Sequence, residues 1–147
     1  GVGSLLQAAL HHYRRPGSAT AVASVEPDTA ACVFASLAAG HPVSVSTAQT
    51  VMAGMNCGTM SASAWPAVAS GLDATLVVGD AETVRAAADL DRLGVPAGPC
   101  GAAPLAALRA VIGGPDGDEF RDHVGLTDAS TVVLVVTEGS AANPVER

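Results

Sequence analysis

Gly1-Val2-Gly3-Ser4, running straight into Leu5-Leu6-Gln7-Ala8-Ala9-Leu10-His11-His12-Tyr13, is the stretch on which the reading of this chain turns. Two residues without a Cβ let the backbone turn sharply and bring its N–H groups against a ligand, and Ser4 stands where it can cap the following helix. The unpaired N–H groups and positive dipole end of such a helix form a seat for an anion, most often a phosphate. An ordinary turn with an N-cap fits the same four residues. The organisation of the rest of the chain weighs in favour of the seat, because ligands of open α/β sheets sit at strand ends.

Downstream, the pattern alternates. A helix is expected over residues 4–15, closed by Pro16-Gly17, and a short buried strand over 19–25, with β-branched Thr20, Val22 and Val25. Asp28 or Thr29 then caps a helix to Ala39, with Gly40 at its C-cap. Residues 42–50 read as irregular, and 50–58 as a tight helical turn with Met52 and Met55 filling core. A helix capped by Ser61 or Ser63 stops at Gly71; a second buried strand covers residues 74–78; Asp80 caps a helix to Leu93. A loop over 96–101 leads to a helix over 102–112 with Pro104 in its first turn. Residues 113–118 read as a flexible surface connection, and 131–136, rich in Thr, Val and Leu, as the clearest strand. The three strands are expected as neighbours or near neighbours in a three-layer α/β fold, its mainly parallel sheet covered by helices on both faces.

Composition agrees. The 147 residues are one domain's length, so 1–147 reads as a single α/β domain, with 49% hydrophobic residues and a mean hydropathy of +0.39 to supply a core. Aromatic residues are only 3%, which leaves alanine-rich helices to pack on valine-rich strands. A net charge of −7 offers no basic stripe for a phosphate backbone, so nucleic acid is not an expected partner. No apolar run reaches the about 18 residues that span a bilayer; the reading is a soluble, cytoplasmic protein without a membrane partner. Cys32, Cys57 and Cys100 form neither a CxxC nor a Cys/His cluster, and no structural metal is expected. The chain starts without methionine, inside a candidate phosphate loop that lacks the usual preceding strand, and so reads as the C-terminal part of a longer polypeptide.

Four stretches together resemble the fold-type II pyridoxal-phosphate enzymes, and within them the diaminopropionate ammonia-lyase branch. They are Gly1-Val2-Gly3-Ser4; Val25-Glu26-Pro27 with Ala30-Ala31-Cys32; Met52-Ala53-Gly54-Met55-Asn56-Cys57-Gly58 followed by Ala64-Trp65-Pro66; and Thr137-Glu138-Gly139. The third is specific to the branch, whereas the others occur across the fold type.

The resemblance implies that Gly1, Val2, Gly3 and Ser4 surround the phosphate of pyridoxal 5'-phosphate. It places Thr137 as a neutral partner of the pyridine nitrogen, which makes the ring a weaker electron sink suited to β-elimination. Cys100, in Gly98-Pro99-Cys100-Gly101, falls in a loop that relatives place near the ring as Gly-Glu-Ser-Gly, so Pro99 and Cys100 depart from the pattern; by itself Cys100 also reads as a small buried hydrophobe. Glu26 either lines the site or ends a strand. Where some relatives complete a metal site six residues further on, Cys32 stands, so no metal is expected. His11, His12, His41 and His123 read as surface histidines, and Trp65 as an anchor for its helix.

All seven basic residues are arginine. No catalytic residue is therefore expected in this chain, and the Schiff-base lysine is expected N-terminal to Gly1. The implied activity is that of a homodimeric parent lyase acting on a small amino acid, releasing ammonia from 2,3-diaminopropionate to give pyruvate, with this chain alone inactive. A serine or threonine dehydratase of the same fold type is the first alternative; a noncatalytic domain binding a phosphorylated metabolite or a partner chain is the second.

Overall fold

The computed structural model describes residues 1–144 and divides into two compact units. The first, Gly1–Gln49 with Gly54–Val77, carries α1 (Ser4–Tyr13), β1 (Ala23–Pro27), α2 (Cys32–Ala39), most of a 3-10 turn over Ala53–Met55, α3 (Trp65–Gly71) and β2 (Ala74–Val78), whose last residue enters the second unit. β1 and β2 pair directly. The pairing is parallel. Val22 C=O accepts the Asp73 N–H at 2.9 Å, and Ser24 Oγ donates to Thr75 Oγ1 at 3.0 Å, so the register offset stays constant along the strands, which an antiparallel pair cannot do.

β2 has the expected bounds, but it is only partly buried, with Val77 45% exposed. β1 starts four residues later than expected. The reason is visible at its entry: the Val22 N–H goes to the Asp73 carboxylate at 2.7 Å, and residues 19–21 stay exposed. Arg14 secures the same corner, bonding Asp73 Oδ1 at 2.6 Å and Gly71 C=O at 2.9 Å. The unit has a core of Leu10, Cys32, Val33, Met60, Ala64 and Val68, against which half-buried Leu6, Val22 and Trp65 pack. Trp65 thus anchors α3, as expected from its single occurrence.

Neither Asp28 nor Thr29 caps α2, which begins at Cys32; Gly40, left-handed at φ 72°, closes it as expected. Likewise Ser61 and Ser63 precede α3 without capping it.

The second unit holds Thr50–Ala53 and the chain from Val78, with α4 (Asp80–Arg92), α5 (Pro99–Gly113) and α6 (Gly117–Val124). α4 and α5 pack closely through buried Ala86, Ala87, Ala102, Ala103, Ala106 and Ala107, the small-residue packing that an aromatic-poor composition requires. Arg109 of α5 meets Asp89 of α4 at 2.6 Å. Asp80 does not cap α4 through its side chain. Its carboxylate instead accepts Thr50 Oγ1–H at 2.5 Å and the Val51 N–H at 3.0 Å, and so holds the segment that buries Met52 completely.

Two expectations fail in this unit. Residues 113–118 are not a flexible connection throughout, since α6 starts at Gly117, with Asp118 and Glu119 in its first turn and Gly125, left-handed at φ 68°, at its end. Residues 131–136 form no strand among the described residues, and Val132, Val133, Val135 and Val136 are exposed. Strand propensity there has no neighbouring ladder to pair with, and a strand without partners leaves its N–H and C=O groups to water.

Candidate cofactor-binding site

In the first unit, α1 is preceded by Gly3 in the left-handed region at φ 97°, and Ser4 is the first helical residue rather than the cap. A Cβ at Gly3 would be strained by that φ and would lie 3.2 Å from the Ala64 Cβ, so only glycine suits the turn. The first hydrogen bond of α1 runs from Gln7 N–H to Gly3 C=O at 2.8 Å. The N–H groups of Ser4, Leu5 and Leu6 therefore have no acceptor within the helix, and no side chain caps it.

The loop is fixed from one side. Ser61 N–H donates to Val2 C=O at 2.7 Å, the Gly1 nitrogen lies 3.4 Å from Met55 C=O, and Gln7 Nε2 donates to Ser63 C=O at 3.1 Å. Within this unit the glycine turn thus rests on Met55 and on Ser61 and Ser63, the residues leading to Ala64-Trp65-Pro66, which the sequence separates from it by about fifty residues.

What marks α1 is its difference from the other helices of eight residues or more. Glu26, buried on β1, caps α2 from outside, accepting the Val33 and Phe34 N–H groups at 2.8 and 2.9 Å. Glu138 does the same for α5 at the Cys100 N–H, 2.9 Å away. α4 carries Asp80 and Glu82 in its first turn, and α6 Asp118 and Glu119. Among the described residues, α1 has neither a capping side chain nor an acidic residue in its first turn. Its positive end thus has no counter-charge of its own, the electrostatic condition under which a helix N-terminus attracts an anion.

The second unit holds Cys100 and Thr137. Cys100 is not in a loop, since α5 starts three residues earlier than expected, at Pro99, and includes it. The extension has a cause: Pro99 suits the first helical position, and Glu138 supplies the cap. Gly98 N–H donates to Glu138 C=O at 2.9 Å, Ser140 N–H donates to Pro96 C=O at 2.8 Å, and Ala97 and Gly139 form an antiparallel bridge. The structure therefore brings the Thr137-Glu138-Gly139 segment against the start of α5. Thr137 is exposed and Cys100 half-buried.

Of the two expectations for Glu26, the strand-end position is the one found: it is the penultimate residue of β1, 1% exposed and committed to α2. Burial, and next the charge of Glu26, push the Cys32 thiol above its ordinary range. The four histidines are exposed. Among the described residues no group of His, Cys, Asp or Glu is arranged to hold a metal ion, and no helix is long and apolar enough to cross a membrane. The capping roles of Glu26 and Glu138 escaped sequence reasoning, for neither stands in an N-cap position and Glu138 lies 38 residues from Cys100, whose N–H it takes.

Residues 1–138 match the family model described as pyridoxal-phosphate dependent enzyme. The chain belongs to that family. Its members depend on pyridoxal phosphate, and the α/β fold with parallel strands is theirs. Among solved structures, the chain is similar to a threonine deaminase from T.th., with 27% identity and a TM-score of 0.69 over 74% of this chain and 39% of that one. Maize serine racemase shares 25% identity at a TM-score of 0.69, with 84% of this chain and 36% of that one covered. A fungal L-serine ammonia-lyase from Rhizomucor miehei, at 21% identity, shares the fold with a TM-score of 0.77 over 95% of this chain and 43% of that one. This chain thus spans about two fifths of the length of those proteins. No curated protein gives a significant match.

Proposed function

We propose that this chain is the cofactor-phosphate and ring-nitrogen portion of a pyridoxal-phosphate lyase that eliminates ammonia from 2,3-diaminopropionate, yielding pyruvate and ammonia. The observation that carries the reading is the uncapped, acid-free N-terminus of α1 behind a left-handed Gly3, in a family that depends on this cofactor. Gly1, Val2, Gly3 and Ser4 take the phosphate on backbone N–H groups. Thr137 offers its hydroxyl to the ring nitrogen, with Cys100 in the helix turn beside its segment. Bound pyridoxal phosphate supplies the electron sink for loss of the α-proton and departure of the β-substituent. The side chain that carries the cofactor is a lysine outside this chain, as are the groups that move the proton, and the full-length protein is a cytoplasmic homodimer.

The choice of diaminopropionate rests on the resemblance carried by the Met52–Gly58 run with Ala64-Trp65-Pro66. A serine or threonine dehydratase is the second reading, favoured by the 27% identity to a threonine deaminase. The test is an assay of the purified full-length protein for ammonia and 2-oxo acid from diaminopropionate, serine and threonine. Preference for diaminopropionate by kcat/KM is expected; preference for serine or threonine would give the site to the second reading. A full-length protein that binds phosphorylated metabolites without turnover of any of the three would point to the noncatalytic domain.

A further inference from the structure

We propose that Glu138 is the positioning residue that sets Thr137 in place, by clamping its segment to the first turn of α5 through both side chain and backbone. The inference rests on the cofactor reading above for what Thr137 then does, but the clamp is a matter of geometry.

Glu138 makes two contacts with one helix end. Its Oε1 accepts the Cys100 N–H at 2.9 Å, and its own C=O accepts the Gly98 N–H at the same distance. A carboxylate on an N–H in the positive first turn of a helix makes a charge-assisted bond, stronger than a neutral one. The fit leaves no room for anything larger. A Cβ on Gly98 would come within 2.5 Å of Glu138 Oε1, and one on Gly101 within 2.5 Å of Glu138 C=O and 2.9 Å of Val136 Cγ1. Both glycines are needed for the segment to lie this close.

Thr137 sits between Val136 and Glu138, both held against α5, while its own side chain remains exposed. The segment has no β-ladder to fix it, since residues 131–136 form no strand among the described residues and the pairing beside it is the isolated bridge of Ala97 with Gly139. The direction of the Thr137 hydroxyl is therefore inherited from the Glu138 clamp. Pro99 adds to this, because its fixed φ at the first helical position leaves the turn that presents the Cys100 N–H with little freedom.

The experiment compares Glu138→Ala, Glu138→Asp and Glu138→Gln in the full-length protein loaded with pyridoxal phosphate. Three readouts are taken: hydrogen exchange of the Cys100 amide by fragment-resolved mass spectrometry, the absorption band of the bound cofactor, and its 31P resonance. Glu138→Gln keeps an acceptor oxygen at the same reach, whereas Glu138→Asp keeps the charge but falls one methylene short. Expected is a rise of about tenfold or more in Cys100 exchange for the Ala and Asp variants, the factor carried by one charge-assisted hydrogen bond. The absorption band moves in the same two variants and the 31P resonance stays in place, while Glu138→Gln, which keeps the acceptor and loses the charge, leaves the band in place and raises Cys100 exchange less than either.

Unchanged Cys100 exchange in the Ala and Asp variants would overturn the clamp. Released exchange with an unmoved band, or a 31P resonance that moves together with the band, would overturn the positioning role and leave a merely structural one. Should Glu138→Ala fail to fold, the Asp and Gln pair decides alone. A wild-type protein that takes up no cofactor while its Cys100 amide stays protected would instead sink the cofactor reading, and the positioning role with it.

Discussion

Glu26 of β1 holds the N-terminus of α2 through Val33: the Val33 N–H donates to Glu26 Oε1 at 2.8 Å, inside a core where Glu26 is 1% exposed. The second oxygen takes the Phe34 N–H at 2.9 Å, so the charge is spread over the first turn of a helix that has no cap of its own. Losing a buried charged acceptor leaves two N–H groups unpaired. Glu26→Ala is expected to destabilise the fold by about 3 kcal/mol, and Glu26→Gln by less, since one acceptor oxygen remains. Urea unfolding followed by circular dichroism measures both, and an Ala variant within error of wild type would show that α2 is held by packing alone.

Cys32 gives a pH dependence of definite sign. Its pKa in the folded protein is raised above the ordinary 9.0 by burial, then by Glu26. The folded state holds the proton more tightly than the unfolded chain, so this stabilisation is fully present below about pH 9 and is lost as pH rises through the folded-state pKa. Unfolding free energies collected from about pH 8 to 11 should fall on the alkaline side, with a shallower fall in Cys32→Ser. Equal slopes in the two proteins would refute the assignment.

Gly3→Ala tests the anion seat. The substitution puts a side chain at φ 97° and within 3.2 Å of the Ala64 Cβ, for a cost of about 1–2 kcal/mol in stability. Because the strain turns the loop N–H groups, cofactor affinity of the full-length protein should drop more than about tenfold, readable by equilibrium dialysis, while Gly40→Ala, also left-handed at φ 72° but with open space around its added Cβ, keeps the affinity.

With no lysine among its 147 residues, the chain by itself offers no ε-amine to the cofactor aldehyde. Borohydride treatment of a mixture with pyridoxal phosphate should leave no reduced adduct on an internal residue by mass spectrometry, and no ammonia should appear from diaminopropionate. An internal adduct or turnover above background would relocate the chemistry into this chain.

The exposed valines of residues 131–136 bear on behaviour in solution. Val133 is 69% exposed on a β-prone segment outside any ladder, the arrangement that recruits another chain. Val133→Lys should lower the apparent mass of the isolated chain in sedimentation velocity, and a wild-type chain that is monomeric at all concentrations would contradict the expectation.

Elements with local signals could be read from residue order. The bounds of β2 and the left-handed stop at Gly40 follow from residue type and spacing, and so does the sharp glycine turn that opens α1, whereas the alanines expected against valine strands pack α4 on α5. Thr131 to Val136 shows where that logic ends: intrinsic β preference selects a conformation, but only a partner strand supplies the hydrogen bonds that make it a strand. α6 was hidden for the opposite reason, its acidic first turn lying just beyond a Gly-Pro-Asp-Gly cluster that reads as a loop.

Which groups serve the helix ends was settled only by the folded chain. Ser4, Asp28, Thr29 and Asp80 are all good capping residues by type, yet none caps its helix: Ser4 is itself the first helical residue behind Gly3, Glu26 takes the start of α2 from β1, and Asp80 is drawn to Thr50 and Val51. A side-chain cap is a contact of about 3 Å, and which carboxylate comes within that distance depends on how segments tens of residues apart are packed. The same packing leaves the positive end of α1 without an acid of its own, a property that exists only once every other charge has been placed.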